Sequence, residues 1–190
     1  MDAHLSRTLN SLGLLAVSTL LAFGFFFQLA WGELPCPLCL LQRVGFVMVG
    51  FGLALNVIYG PRPSHYAVMA LSALFGGSVA VRQILLHIVP GTGTYGSPVL
   101  GLHYYTWAAF LFFAILLGTA VMMLFDKQFE KRPAGAANAS PELYGGSVFG
   151  RSCVVILLVV VGANALSTFL ECGPLVCADN PVKYELLNWN

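Results

Sequence analysis

LPCPLCLLQR, residues 34–43, sets two thiols, two prolines and an arginine at the mouth of a long apolar run. Whether that run is a buried core helix or a membrane span decides the fold. The whole chain settles the choice: 58% of its 190 residues are hydrophobic and only 9% are charged, far too apolar for an ordinary soluble domain. Crossing a bilayer takes about 20 apolar residues per helix. Runs of that length cover residues 9–31, 40–59, 66–89, 104–125 and 152–170. The runs are continuous rather than alternating in polarity, so helices and not barrel strands are expected. The predicted fold is an all-α integral membrane protein, a four-helix transmembrane bundle plus an additional fifth transmembrane helix. The first run follows Arg7 but is longer than a signal-peptide core and has no small-residue cleavage site before Glu33, so it reads as a retained helix.

The linkers YGPRPSH, PGTGTYGSP and KRPAGAANASPELYGG carry the turn residues expected between spans. The domain reading is therefore a redox core over 1–125, a cytoplasmic loop over 126–151, a fifth transmembrane helix over 152–170 and a periplasmic tail over 171–190. Orientation follows from the basic residues. With the N-terminus cytoplasmic, the inner segments hold Arg7, Arg62, Lys127, Lys131, Arg132 and Arg151, and the outer segments hold only Lys183. A formal net charge of +1 leaves no footprint for nucleic acid.

Parity then sorts the five cysteines. Cys36 and Cys39 precede the second span, and four crossings separate them from Cys172 and Cys177, so both pairs face outward. Cys153 falls alone at the inner end and reads as a small packing residue. Each outward pair could be a static staple in an oxidising compartment. The C-x-x-C pair has a stronger alternative, because the N-terminus of a helix favours a thiolate and makes it exchange-competent. Pro35 and Pro37 suit that position. Arg43 follows Cys39 by four residues, on the same helix face, where its guanidinium is expected to reach toward the Cys39 sulfur. Snorkelling to the headgroups is the competing use of that arginine.

A dithiol at a membrane boundary needs an electron partner. The chain has no C-x-x-C-H for haem, no dinucleotide fingerprint and no zinc spacing, so no metal or haem is expected. A lipid-soluble quinone, ubiquinone or menaquinone, is the economical acceptor, with its ring against Cys39 and its oxygen near Arg43.

CPLCLLQR resembles the cysteine-pair and arginine motif of the disulfide bond formation protein B (DsbB) family, and LLHIVP with LGLHYYTW resembles the end of that family's third span and the start of its fourth. The resemblance covers residues 9–125. It implies a quinone-dependent oxidase of a periplasmic thioredoxin-fold (DsbA-like) dithiol protein in the bacterial inner membrane. Cys36 and Cys39 would be the quinone-proximal pair, with Cys39 facing the quinone and Arg43 stabilising charge. Gln42 replaces the glutamate of the familiar motif. Gln83 stands where a quinone-neighbouring histidine is often found, and His87 lies one turn further on. The family's second cysteine pair sits in a long loop between spans three and four; here that loop is short and lacks cysteine, and Cys172 and Cys177 are expected to take its place.

Other polar residues have paired readings. Arg82, roughly 10 Å below the outer end of its span, either lines the quinone pocket or snorkels beside it. His87 and His103 either bond a quinone oxygen or face water. Tyr104, Tyr105 and Trp107 read as an interfacial aromatic belt, and Asn56 and Asn164 either make interhelical hydrogen bonds or face a loop. The rivals to a quinone-coupled thiol oxidase are an oxidase dedicated to one exported substrate and a non-catalytic membrane subunit braced by two disulfides.

Overall fold

The structure is a computed structural model that describes residues 1–89, 91–94, 96–130, 147–174 and 176–187. Five helices dominate it: α1 (Ala3–Trp31), α2 (Pro37–Tyr59), α3 (Pro63–Leu86), α4 (Tyr104–Met123) and α5 (Val148–Cys172). All five are long and apolar enough to cross a membrane. Among the described residues there is no strand, only an isolated bridge between Val99 and Leu102. The chain is a multi-pass all-α membrane protein with a fifth helix, as expected. The Lys131 and Arg132 of the charge count lie outside the described residues.

Helix ends follow local chemistry. The Asp2 carboxylate caps α1 by accepting from the Leu5 N–H at 2.8 Å, and Ser147 caps α5 by accepting from the Gly150 N–H at 3.1 Å. These caps start both helices before the apolar runs, and at its other end α5 runs on to Cys172, where the Gly173 N–H closes on the Phe169 carbonyl. In contrast α3 stops at Leu86, short of residue 89, which leaves Arg82 about 6 Å from its end rather than 10 Å.

Packing is set by small residues. A Cβ on Gly45 would meet the Gly76 backbone at 2.9 Å, and one on Gly52 would meet the His65 carbonyl at 3.0 Å, so α2 and α3 touch almost backbone to backbone. Phe112 of α4 fills the space beside Gly76 and stacks on Phe46 with centroids 4.1 Å apart. On the other flank α1 packs on α2 and α5. Leu157 of α5 seats against Gly50, and Cys153 is buried, as a packing residue would be.

Two buried polar clusters close the ends of the bundle. At the N-terminal end the Tyr66 hydroxyl donates to Gln128 Oε1 at 2.9 Å and accepts from Asn10 Nδ2 at 2.9 Å. Asn56 donates to Asn10 Oδ1 at 3.0 Å and accepts from the Arg62 N–H at 3.2 Å. Gln128 belongs to a short 3-10 turn, Asp126–Phe129, so the start of the predicted loop is built into the fold. The second cluster lies at the cysteine end.

Candidate functional site

Cys36 is the N-cap of α2: its sulfur accepts from the Cys39 N–H at 3.2 Å, and Pro37 opens the helix, where a missing N–H costs nothing. Cys36 and Cys39 form a disulfide, Cα to Cα 5.0 Å. Cys36 is 2% exposed and Cys39 half-buried. Across from them the Gln83 Nε2 lies 3.3 Å from the Cys36 sulfur and 3.5 Å from that of Cys39. Gln42 fixes this orientation by donating its own amide to Gln83 Oε1 at 2.7 Å. A glutamate at 42 would have no proton to donate there when ionised, and would draw the Gln83 amide away from the sulfurs.

Both cysteines line a cavity of about 430 Å³ between α1, α2, α4 and the loops at the cysteine end of the bundle. Its walls are mainly apolar, with Phe27, Phe46, Tyr104, Tyr105 and Trp107 among them. The two loops are tied together over it: Glu33 accepts from the Ser97 N–H at 3.2 Å and from its hydroxyl. The Trp107 Nε1–H donates to the Val99 carbonyl at 3.0 Å, which holds the turn at Leu100 and Gly101. The aromatic residues read as a membrane belt are thus cavity walls. The Tyr104 hydroxyl is buried with no hydrogen-bond partner among the described residues.

Arg43 also lines the cavity, but its bonds differ from the expectation. Rather than reaching to Cys39, Nη1 donates to Gln28 Oε1 at 2.7 Å and Asn164 Oδ1 at 3.1 Å, and Nη2 donates to the Gly24 carbonyl at 3.1 Å. The physical reason is the number and placing of the acceptors: a planar guanidinium finds the Gly24 carbonyl and two amide oxygens, three fixed acceptors on α1 and α5, against one weak sulfur acceptor on its own helix. Gln28 in turn donates to Ser167 Oγ at 2.8 Å and to the Tyr184 hydroxyl at 3.0 Å. The fifth helix and the tail therefore complete the surroundings of Arg43.

The second pair, Cys172 and Cys177, is also a disulfide, Cα to Cα 4.4 Å. Cys172 is buried and Cys177 half-buried. Because Arg43 and Asn164 are bonded, and Cys36 and Cys172 lie seven and eight residues beyond them along antiparallel helices, both pairs stand at one end of the bundle, about 10–12 Å past a shared level.

The remaining predicted site residues lie further out. Arg82 is exposed and outside the cavity lining. His103 stacks on the cavity residue Tyr105 with centroids 5.4 Å apart, and His87 lies 5.7 Å from the same ring, but neither lines the cavity. Gln28, Tyr104, Glu171 and Tyr184 were not anticipated as site residues. The available signal was polarity near the cysteine ends of α1 and α5, where a buried amide or carboxylate needs a reason.

Fold and site together define an integral-membrane thiol–disulfide protein. Residues 6–94, covering α1 to α3, match the family model described as Disulfide bond formation protein DsbB. Proteins named Disulfide bond formation protein B are 40% identical over 77 residues in Azoarcus sp. (strain BH72), 38% of this chain and 46% of the relative, and 40% identical over 84 residues in Aromatoleum aromaticum, 42% and 51%. The relative from Hahella chejuensis is 33% identical over 89 residues, 45% and 54%. The resemblance seen in CPLCLLQR is thus borne out. The chain spans about half the length of the curated relatives it matches. LGLHYYTW, α5 and the second cysteine pair lie outside the residues matched by the family model. No solved structure matches the chain.

Proposed function

We propose that this protein is a membrane thiol:quinone oxidoreductase that reoxidises a periplasmic thioredoxin-fold dithiol protein. The observation that carries the reading is the Cys36–Cys39 disulfide in the wall of an apolar cavity that also holds the Arg43 guanidinium. The cavity suits a quinone ring: it is large enough, aromatic-walled, and offers the unpartnered Tyr104 hydroxyl and Arg43 as donors toward oxygen. When bound, a quinone supplies a two-electron, two-proton acceptor.

This chain's own residues do the rest. The N-cap position of Cys36 directs backbone N–H groups toward the pair, Gln83 offers an amide hydrogen to both sulfurs, and Arg43 supplies positive charge where a thiolate is exposed on exchange. The half-buried Cys177 is the sulfur a partner thiolate reaches first, and the buried Cys172 is the leaving thiol. The two electrons then pass to Cys36–Cys39 by a second exchange, closing Cys172–Cys177 again. Overall two partner thiols become one disulfide and a quinone becomes a quinol. The charge count supports a cytoplasmic N-terminus, with both pairs in the periplasm of a bacterial inner membrane.

The test is purified protein with a ubiquinone analogue. Cys172→Ser and Cys177→Ser are expected to abolish oxidation of a reduced thioredoxin-fold donor while keeping quinone reduction by dithiothreitol. A second reading has its own support, because the tail folds back on α5 through the Glu185 N–H to Glu171 carbonyl bond at 3.2 Å and the Leu186 N–H to Leu170 carbonyl bond at 3.0 Å. In that reading the second disulfide only braces the turn, and both variants oxidise the donor as before.

A further inference from the structure

Glu171 is the one carboxylate of the outer cluster that no bond accounts for. It is 2% exposed, and neither oxygen has a hydrogen-bond partner among the described residues. Its position is specified by the helix: Asn164, Ser167 and Glu171, spaced i, i+3 and i+7, are all buried on one stripe of α5. Asn164 on that stripe holds Arg43, and the charges of Arg43 and Glu171 interact through space without forming a direct ion pair. Every hydrogen-bond acceptor of Arg43 is neutral, so Glu171 is its acidic counterpart in the cluster.

Among the described residues, the groups of this cluster add no second cation. From α1 comes the neutral Gln28, and from the tail Tyr184, which also interacts with Arg43. Glu185 gives its backbone N–H to the Glu171 carbonyl while its side chain pairs outward with Lys183 at 3.9 Å. Burial disfavours a carboxylate's charge and a nearby cation favours it; Arg43 is that cation for Glu171. Any new negative charge beside Arg43 therefore competes with the Glu171 carboxylate.

We infer that Glu171 is a proton-holding positioning residue for the Cys36–Cys39 centre, taking up a proton when that pair is reduced and releasing it when the pair is reoxidised. The inference rests on the thiol-oxidase reading of the pair. Reduction by a dithiol breaks the Cys36–Cys39 bond and delivers two electrons with two protons. One sulfur is left as a thiol and the other, that of Cys39 one helical turn from Arg43, as a thiolate, and the second proton resides on Glu171. Reoxidation reforms the sulfur–sulfur bond and returns both electrons and both protons to the acceptor. Glu171 acts through Arg43 and touches no reacting atom.

The experiment needs neither quinone nor partner. An infrared difference spectrum of the full-length protein is recorded between its oxidised state and its state after dithiothreitol reduction. A protonated-carboxyl band is expected to appear on reduction, to vanish in Glu171→Gln, to shift in Glu171→Asp, and to persist in Glu33→Gln, the carboxylate of the cavity wall. It is also expected to vanish in the Cys36→Ser, Cys39→Ser double variant. Survival in that double variant would tie the band to Cys172–Cys177 and overturn the inference, as would survival in Glu171→Gln or absence from the wild type. As a second readout, alkylation of the reduced Cys36–Cys39 pair at mildly acidic pH is expected to stay within about twofold of wild type in Glu171→Gln, whose neutral amide stands for the protonated carboxyl of the reduced state; a rate changed about tenfold or more overturns the inference. A Cys36–Cys39 disulfide that dithiothreitol cannot reduce at all overturns the oxidase reading beneath it, a result distinguishable by thiol count from a reducible pair without the band.

Discussion

The two polar clusters at opposite ends of the bundle are built from the same kinds of residue and yet are opposite in kind. Around Tyr66 the amides and hydroxyls of Ser6, Asn10, Asn56 and Gln128 bond one another across α1, α2, α3 and the 3-10 turn. Around Arg43 the amides of Gln28 and Asn164 are arranged about a fixed charge, beside a cavity, a carboxylate without hydrogen bonds and an unpartnered phenol. A closed network of neutral groups specifies how helices meet and asks nothing more of its surroundings. An incompletely satisfied network beside a cavity spends stability on reactivity, and that is the mark of a site.

The contrast breaks if the two ends respond alike to substitution. The largest effect is expected from Cys36→Ser or Cys39→Ser, which take away the proposed electron carrier: dithiothreitol-driven quinone reduction should fall at least a thousandfold, on the order of an abolished covalent step, with the thermal unfolding midpoint in detergent little changed. Next comes Arg43→Lys, which keeps the charge but loses the planar fork. Turnover is expected to drop roughly a hundredfold, the scale of one removed charge-stabilising donor, as measured by quinone absorbance.

Tyr66→Phe should reverse the pattern. It leaves bonds of Ser6, Asn10 and Gln128 unmade, so unfolding is expected to be easier by about 1–3 kcal/mol, while turnover of the folded protein stays within a factor of two or so of wild type. The smallest effect is assigned to Tyr104→Phe, which removes one hydroxyl from the cavity wall. It should raise the KM for the quinone about threefold to tenfold, corresponding to one hydrogen bond of about 0.5–1.5 kcal/mol, and leave stability unchanged or slightly improved.

Much of this was legible in the chain. Apolar runs gave five spans because hydropathy over twenty residues is a strong signal in lipid, and parity placed Cys36, Cys39, Cys172 and Cys177 at one end because only the number of crossings matters. The polar cluster was not legible in the same way. Arg43 and Gln28 are fifteen residues apart and Arg43 and Asn164 are 121 apart, so their pairing depends on which helix faces which and at what height. Periodicity gives a helix its faces but not its neighbours. Tyr104 misled for a related reason: an aromatic residue at a span boundary looks the same whether it meets headgroups or the wall of a cavity.

The Gln28 to Tyr184 bond joins residues 156 positions apart, and this span has a meaning for biosynthesis. Ribosomes deliver a chain from its N-terminus, at about 5–20 residues per second. The first four helices can associate as they emerge, and the Tyr66 cluster is complete once Gln128 has been made. The Arg43 cluster must wait for Asn164, Glu171 and finally Tyr184. The residues of the scaffold cluster are therefore all made before those of the Arg43 cluster, which is finished only with Tyr184 of the tail.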